Sequence, residues 1–387
     1  MNLSLRDFGK IEHADIDLNG FTVICGDDNT GKSTIGKALF GIINSFSNYK
    51  FRIFEQRDAA VKNFVRQKGG VLPYSDNLCD LQAFAFLIDC ENLSETELIN
   101  FLLSFSVKAT KEQVKPLLDV LTLSNEDILN ESALRYFNTI MNGQIQNVYS
   151  EGSCSVGCSI GSDTYALTFR QNKCICSQET SCSNKAYYIN NHFSLDLLNI
   201  RGSELKTGNP LERNIIETIL DAHQSLVAEP MNGILEAVSN KKNLEKVMKV
   251  LKKAYTGDTL ISKGMYYYSE NNVKFDFRNI SAGLKSFALI ERLLHSGVLE
   301  QGDILIFDEP ELYLHSDWQK IYAELLVSIQ KHFNLTILLV THSSQFCKSL
   351  DFFMKKYAIA DKCTYYTPIL TEKGVSFRFC DQNELTN

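Results

Sequence analysis

The spacing of apolar and polar residues predicts strands toward the two ends of the chain and helices between them. Leu3, Leu5 and Phe8 begin a strand, and Phe21-Thr-Val-Ile-Cys25 is an apolar run ending at a glycine, so residues 1–25 read as two strands. Residues 32–46 place Ile35, Leu39, Ile42, Ile43 and Phe46 on one helical face. Amphipathic helical segments recur at 51–66, 94–105, 111–122 and 125–141, with Ser94 before Glu97 and Ser124 before Asp127 as N-terminal caps. Period-two alternation then takes over in 143–192: Cys154, Val156, Cys158 and Ile160 share one parity, as do Tyr165, Leu167 and Phe169, which predicts a small antiparallel sheet. Helices return over 203–255, and 258–280 suggests a short sheet edge. A helix at 282–297, a buried strand at 303–307, a helix at 316–332 and a buried strand at 335–340 follow, with one helix and two strands in the tail 345–387.

Strands alternating with helices near both ends imply an α/β core split in sequence. The expected organisation is a first part of the core at 1–49, a helical insertion at 50–140, a β-lobe at 141–202, a second helical insertion at 203–258 and the rest of the core at 259–387.

Composition narrows this picture. With 387 residues, 44% hydrophobic and 22% charged, the chain can bury a sizeable core and is neither disordered nor collagenous. No apolar run approaches the roughly 20 residues of a membrane-spanning helix. The first residues lack the apolar region of a signal peptide, so no membrane is expected and the chain reads as cytoplasmic. Eleven cysteines, an odd number without an export signal, read as reduced thiols. A formal charge of −7 does not suit a protein that coats nucleic acid unaided, so such contact needs a local patch or a partner.

Candidate chemistry starts at Gly26-Asp27-Asp28-Asn29-Thr30-Gly31-Lys32-Ser33-Thr34, which fits G-x-x-x-x-G-K-[ST] between a strand and a helix. Backbone N–H groups of such a loop cradle phosphate oxygens. Lys32 supplies positive charge to the β- and γ-phosphates, Ser33 suits Mg²⁺, and Thr34 adds a contact on the α-phosphate side. Asp27 and Asp28 put two carboxylates beside this anion site. Four apolar residues, Ile304–Phe307, then run into Asp308-Glu309-Pro310. A buried strand ending in Asp308 presents a carboxylate to Mg²⁺ beside a phosphate loop. Glu309, one residue on, is placed to act as general base on water. Ser281 and Gly283, at the start of a helix, form a second anion-binding surface. One phosphate chain does not need two such surfaces unless a second subunit supplies one.

Phosphate loop, Ser281-x-Gly283, Asp308-Glu309 and Thr341-His342, in that order, resemble an ABC-type ATPase, and the 248 residues between Lys32 and Ser281 resemble the SMC/RecF/OLD-like branch. The run from Glu309 to Gln319 is similar to the EPE-x-x-LHP-x-WQ run of OLD-like and defence-associated ATPases, with Ser316 where proline is usual. The loop also carries Asp28 where that branch usually has Asn. The resemblance implies ATP and Mg²⁺ as ligands and a P-loop ATPase core with a small antiparallel β-lobe and helical insertions. It implies a homodimer or higher homo-oligomer that sandwiches ATP. Ser281 and Gly283 would reach the partner's nucleotide, and His342 would be the switch histidine that senses the γ-phosphate. Gln144, or nearly as well Gln146, is the Q-loop candidate, with Gln144 a ligand on the nucleotide and metal side.

Only 45 residues follow His342, too few for a TOPRIM domain, and no HNH or His-Glu-x-x-His pattern is found. The chain therefore resembles the stand-alone ATPase subunits of bacterial antiphage systems, PtuA-like or AriA-like. That implies a separate effector protein, a nuclease or toxin. The alternatives are a RecF-like repair ATPase that binds DNA, and a scaffold that binds ATP weakly. Lys242, Lys246, Lys249 and Lys253 recur at helical spacing and suit either a phosphate backbone or an acidic partner, or else a solvated helix face. Cys154, Cys158, Cys174, Cys176 and Cys182 fall close together, but their phase with apolar neighbours favours core packing over zinc.

Overall fold

The computed structural model describes residues 1–70, 86–88, 90–177, 180–190, 192–199, 209–225, 234–262 and 265–380. The N-terminal stretch forms three strands, β1 (Asn2–Phe8), β2 (Ile11–Asp17) and β3 (Phe21–Cys25), where two were expected. The extra strand carries four polar or charged side chains that hide its period: only Ile11, Ala14 and Ile16 point inward. Helix Lys32–Phe46 follows, then helices Tyr49–Gln67, Glu95–Leu103, Lys111–Leu121 and Asn125–Ile140. The Ser94–Glu97 capping box forms, and the Ser124 side chain accepts the Asp127 N–H.

Residues 143–192 divide between two settings. β4 (Cys154–Ile160), β5 (Asp163–Arg170) and β6 (Lys173–Cys176) make the expected antiparallel meander. β7 (Ala186–Ile189) instead joins the parallel core, and all four of its residues are buried, so no alternation marked it. Helices Pro210–Ser225 and Ile234–Leu251 come next, then a three-stranded sheet of β8 (Asp258–Ser262), β9 (Met265–Glu270) and β10 (Val273–Asp276). The core closes with helix Ala282–His295, β11 (Ile304–Asp308), helix Ser316–Phe333, β12 (Thr336–Thr341), helix Ser344–Lys356, β13 (Cys363–Thr371) and β14 (Gly374–Phe379).

A single sheet runs β6-β5-β4-β1-β2-β14-β13-β3-β12-β11-β7. Its half from β13 to β7 is parallel, and the meander extends it through β1. The fold is thus an α/β core with an antiparallel lobe and helical insertions. The boundary expected between 202 and 203 lies outside the described residues. Phe54, Val61, Val65, Leu98 and Leu102 give the first helical insertion an apolar cluster of its own.

Helix Lys32–Phe46 is held on the sheet by a buried aromatic group. Phe137 has no exposure, lies 5.0 Å from Phe169 and 5.9 Å from Phe8 between ring centroids, and fills the space above Gly41. Phe137→Ala should lower stability by about 3–5 kcal/mol, the usual cost of an emptied aromatic site. An unchanged urea midpoint would show that the site collapses to fill the cavity.

Candidate functional site

Four strand ends build the site. β3 runs into Gly26, β12 into His342, β11 into Glu309 and β7 into Asn190. These strands are parallel neighbours, so their C-terminal ends emerge along one edge, where α/β sheets bind ligands.

The loop from Gly26 to Thr34 is shaped by its own backbone. Asn29 and Gly31 take positive φ, 62° and 77°, and Gly31 caps the helix that begins at Lys32. Asparagine tolerates that conformation better than most residues. Lys32 is 4% exposed and its ammonium donates to the Asp27 carbonyl at 2.6 Å, and Thr30 Oγ1 donates to the same carbonyl at 2.7 Å. The Asp27 and Asp28 residues are exposed, and Asp27 serves the loop through its backbone. Lys10, on the β1–β2 turn, donates to the Asn29 side chain, a contact that the sequence did not signal. Thr34 is half-buried at the start of the helix, and a Cβ on Gly9 of the same turn would stand 3.2 Å from its Cγ2. At the foot of the loop, the Cys25 thiol accepts a hydrogen bond from Cys347 that lowers its pKa, and Lys32 lowers it further.

Ser33 Oγ donates to Asp308 Oδ1 at 2.9 Å, and the Tyr188 hydroxyl donates to Asp308 Oδ2 at 2.5 Å. Glu309 takes a positive φ of 51°, and its N–H donates to the Val340 carbonyl at 2.8 Å, so backbone strain aims this side chain. His342 Nδ1 lies 3.5 Å from Glu309 Oε1, 3.9 Å from Asp28 Oδ1 and 4.0 Å from Glu311 Oε1. Lys32, Ser33, Asp308, Glu309 and His342, which lie far apart in the chain, therefore sit at adjoining strand ends.

The residues fit a nucleotide with its metal. A nearly buried lysine whose ammonium contacts a neutral carbonyl suits phosphate oxygens, and a hydroxyl touching a carboxylate offers the hard oxygens that Mg²⁺ takes. Ser33 and Asp308 are the residues that would hold the ion.

Glu311 was not singled out by its sequence position. Its carboxyl is 3% exposed, accepts from Thr341 Oγ1 and leaves Oε2 unpartnered, and burial raises its pKa from an ordinary value near 4.5. The folded state then holds the proton more tightly than the unfolded state. Its contribution favours folding at low pH and fades as pH rises from about 4.5 through the raised value. Relative to wild type, Glu311→Gln should therefore gain in urea midpoint between about pH 4.5 and neutral pH. Parallel curves for the two proteins would show that Glu311 does not titrate in this way.

Other expected residues fall elsewhere. Ser281 is exposed and caps its helix, its side chain accepting the Leu284 N–H. Gly283 is buried, and a Cβ there would stand 2.9 Å from the Trp318 ring and 3.2 Å from the Tyr313 carbonyl, so its visible role is close packing. Gln144 is exposed in the turn after helix Asn125–Ile140, and Gln146 pairs with Phe8 and donates to the Gly152 carbonyl. Among the described residues, no hydrogen bond joins Gln144 to Ser33 or Asp308. Asn190, directly after β7, lines a cavity with Ser286, Asp308, Glu309 and Tyr313. The five clustered cysteines are buried, and burial raises the pKa of Cys154, Cys158 and Cys174 to about 12. Among the described residues, the group able to hold a metal by its spacing is Asp28, Glu309 and His342, not these thiols. Lys242, Lys246 and Lys249 are exposed, but Lys253 binds the nearly buried Glu324 at 2.5 Å, which also takes Lys356 at 3.1 Å. One of the four expected lysines is thus tied into the fold. No helix among the described residues is long and apolar enough to cross a membrane.

The family model described as "AAA domain, putative AbiEii toxin, Type IV TA system" matches residues 182–348. That stretch holds β7, Ser281, Gly283, Asp308, Glu309 and His342. The matched stretch is less than half of the chain. Among solved structures, the chain is similar to the SMC head domain from Thermotoga maritima, at 10% identity, 98% coverage of each chain and a TM-score of 0.41. It is also similar to an SmcHead bound to the C-winged helix domain of ScpA, at 9% identity, covering 99% of this chain and 98% of that one with a TM-score of 0.45. A third is an Smc head domain with an extended coiled coil bound to the C-terminal domain of ScpA derived from Pyrococcus furiosus, at 9% identity, 99% and 96% coverage and a TM-score of 0.46. No curated protein matches the chain in sequence.

Proposed function

We propose that the protein binds and hydrolyses ATP as a dimeric, nucleotide-dependent switch, and that it is the regulatory subunit of an antiphage defence complex with a separate nuclease or toxin effector. The observation that carries the ATPase reading is the meeting of Lys32, Ser33, Asp308, Glu309 and His342 at adjoining strand ends. Lys32 neutralises phosphate charge. Mg²⁺, when held by Ser33 and Asp308, supplies further charge neutralisation on the phosphates. Glu309 takes a proton from water as the water oxygen bonds to the γ-phosphorus and the bond to the bridging oxygen breaks. His342, beside Glu309, is placed to hold the γ-phosphate.

A dimer would bring the exposed Ser281 to the nucleotide of the other subunit, so only the ATP-bound state bridges both halves. The family match supports the defence reading, because that family's description names a toxin of a Type IV TA system. The test is to purify tagged Glu309→Gln protein from cells that hold its gene neighbourhood, with ATP and Mg²⁺, and weigh the intact assembly. An assembly with a second, effector-sized polypeptide is expected. A dimer carrying only nucleic acid would favour a RecF-like repair ATPase instead. The exposed Lys242, Lys246 and Lys249 are the feature that favours that second reading, through salt-dependent phosphate contacts.

A further inference from the structure

We infer that Tyr188 is the positioning residue that sets how Asp308 presents itself to the metal, an inference that rests on the ATPase reading. Asp308 has two carboxylate oxygens. Oδ1 faces Ser33, the other residue assigned to the metal, and Oδ2 accepts the Tyr188 hydroxyl at 2.5 Å. Holding one oxygen leaves the other to the ion and removes the carboxylate's freedom to rotate. Partners behind a ligating carboxylate typically change metal affinity by 10–100-fold when removed.

The fold builds this contact from three sides. Tyr188 lies on β7, in register with Ile306 of β11, which places Asp308 two residues further along the neighbouring strand on the same face. Its ring meets Phe40 of the loop helix edge-on, at 6.0 Å between centroids. On that helix Gly36 leaves room for it: a Cβ there would stand 3.1 Å from Tyr188 Cε2 and 2.9 Å from Ile306 Cγ2. The side chain is 1% exposed, and its hydroxyl donates to Asp308 Oδ2.

The fixed carboxylate also links the metal to the rest of the chain. After β7 comes the 3-10 helix His192–Asn199, whose Asp196 binds the buried Lys285 of helix Ala282–His295 at 2.8 Å. The same strand that orients Asp308 is thus followed by the segment that anchors the helix capped by Ser281.

Tyr188→Phe tests the inference, because it removes one oxygen and keeps the ring. Two readouts are measured on the full chain: binding of a fluorescent ATP analogue in EDTA, and binding of Mn²⁺ by electron paramagnetic resonance with a non-hydrolysable analogue bound. The expected result is metal affinity lower by about 10-fold with metal-free nucleotide affinity unchanged. Gly36→Ala, which crowds the ring but keeps the hydroxyl, should shift metal affinity in the same direction by less. Mn²⁺ affinity within twofold of wild type in Tyr188→Phe overturns the inference, and so does an equal loss of nucleotide binding in EDTA, which would mark a structural role. A wild-type protein that binds no nucleotide overturns the ATPase reading and this inference with it.

Discussion

Glu309→Gln should stop ATP turnover and leave ATP bound. The two side chains have nearly the same shape, and each residue would bear the same backbone strain at φ 51°, so the turn after β11 should keep its form. What changes is proton affinity: an amide cannot take the proton that water loses as it attacks. Losing a positioned general base typically costs 10²–10⁴-fold, and the loss should fall on kcat, because nucleotide affinity rests on Lys32 and the loop. His342, 3.5 Å from Glu309 Oε1, stays in place to hold the γ-phosphate. Hydrolysis is the step that would open the dimer, so the variant should also accumulate as a dimer in ATP and Mg²⁺. Single-turnover hydrolysis and light scattering check both outcomes. A variant that hydrolyses ATP at the wild-type rate would sink the base assignment. A variant that is slow but monomeric would keep the base and remove the dimeric switch.

The parts of this site legible in the sequence are those whose function is tied to local backbone. A phosphate loop needs its glycines, lysine and serine within nine residues, between a strand and a helix, and Gly26–Thr34 shows all of them. Asp308 and Glu309 were legible for a similar reason, since four apolar residues announce the buried strand that ends there. His342 stood out only through its place in an ordered set of motifs, and its approach to Glu309 depends on β12 lying next to β11.

What stayed hidden depends on strand order. β7 has four buried residues and no periodic signal, so nothing local showed that it would lie beside β11 and carry Tyr188 to Asp308. The same strand brings Asn190 to the cavity beside Glu309, while Gln144, the Q-loop candidate, lies exposed after a helix. In the sequence the strand is a short run, Ala186-Tyr-Tyr-Ile189, followed by two asparagines. Glu311 was hidden for the opposite reason. It sits in a polar run where exposure is the usual expectation, and only the turn at positive φ folds it inward.

Lys32→Ala should abolish nucleotide binding while leaving the bare protein folded. Lys32 is almost fully buried, yet its ammonium contacts one neutral carbonyl at 2.6 Å. A charge held in that way is costly without an anion, so the protein alone gains little by keeping it. Alanine removes the charge and favours the helix that starts at this position. The unliganded variant should therefore melt within about 1 kcal/mol of wild type, as substitutions without a lost partner usually do. With nucleotide the two proteins should part. A ligand at 100 times its Kd stabilises the folded state by about 2.7 kcal/mol, and wild type should show that gain while the variant shows none. The exposed Asp27 and Asp28 sharpen the expectation, because with Lys32 gone the loop offers phosphate two carboxylates beside its N–H groups. Thermal melts with and without ATP–Mg²⁺ check this. A variant stabilised by ATP as much as wild type would show that the nucleotide binds elsewhere. A variant that fails to fold without ATP would show that Lys32 serves the loop's own structure first.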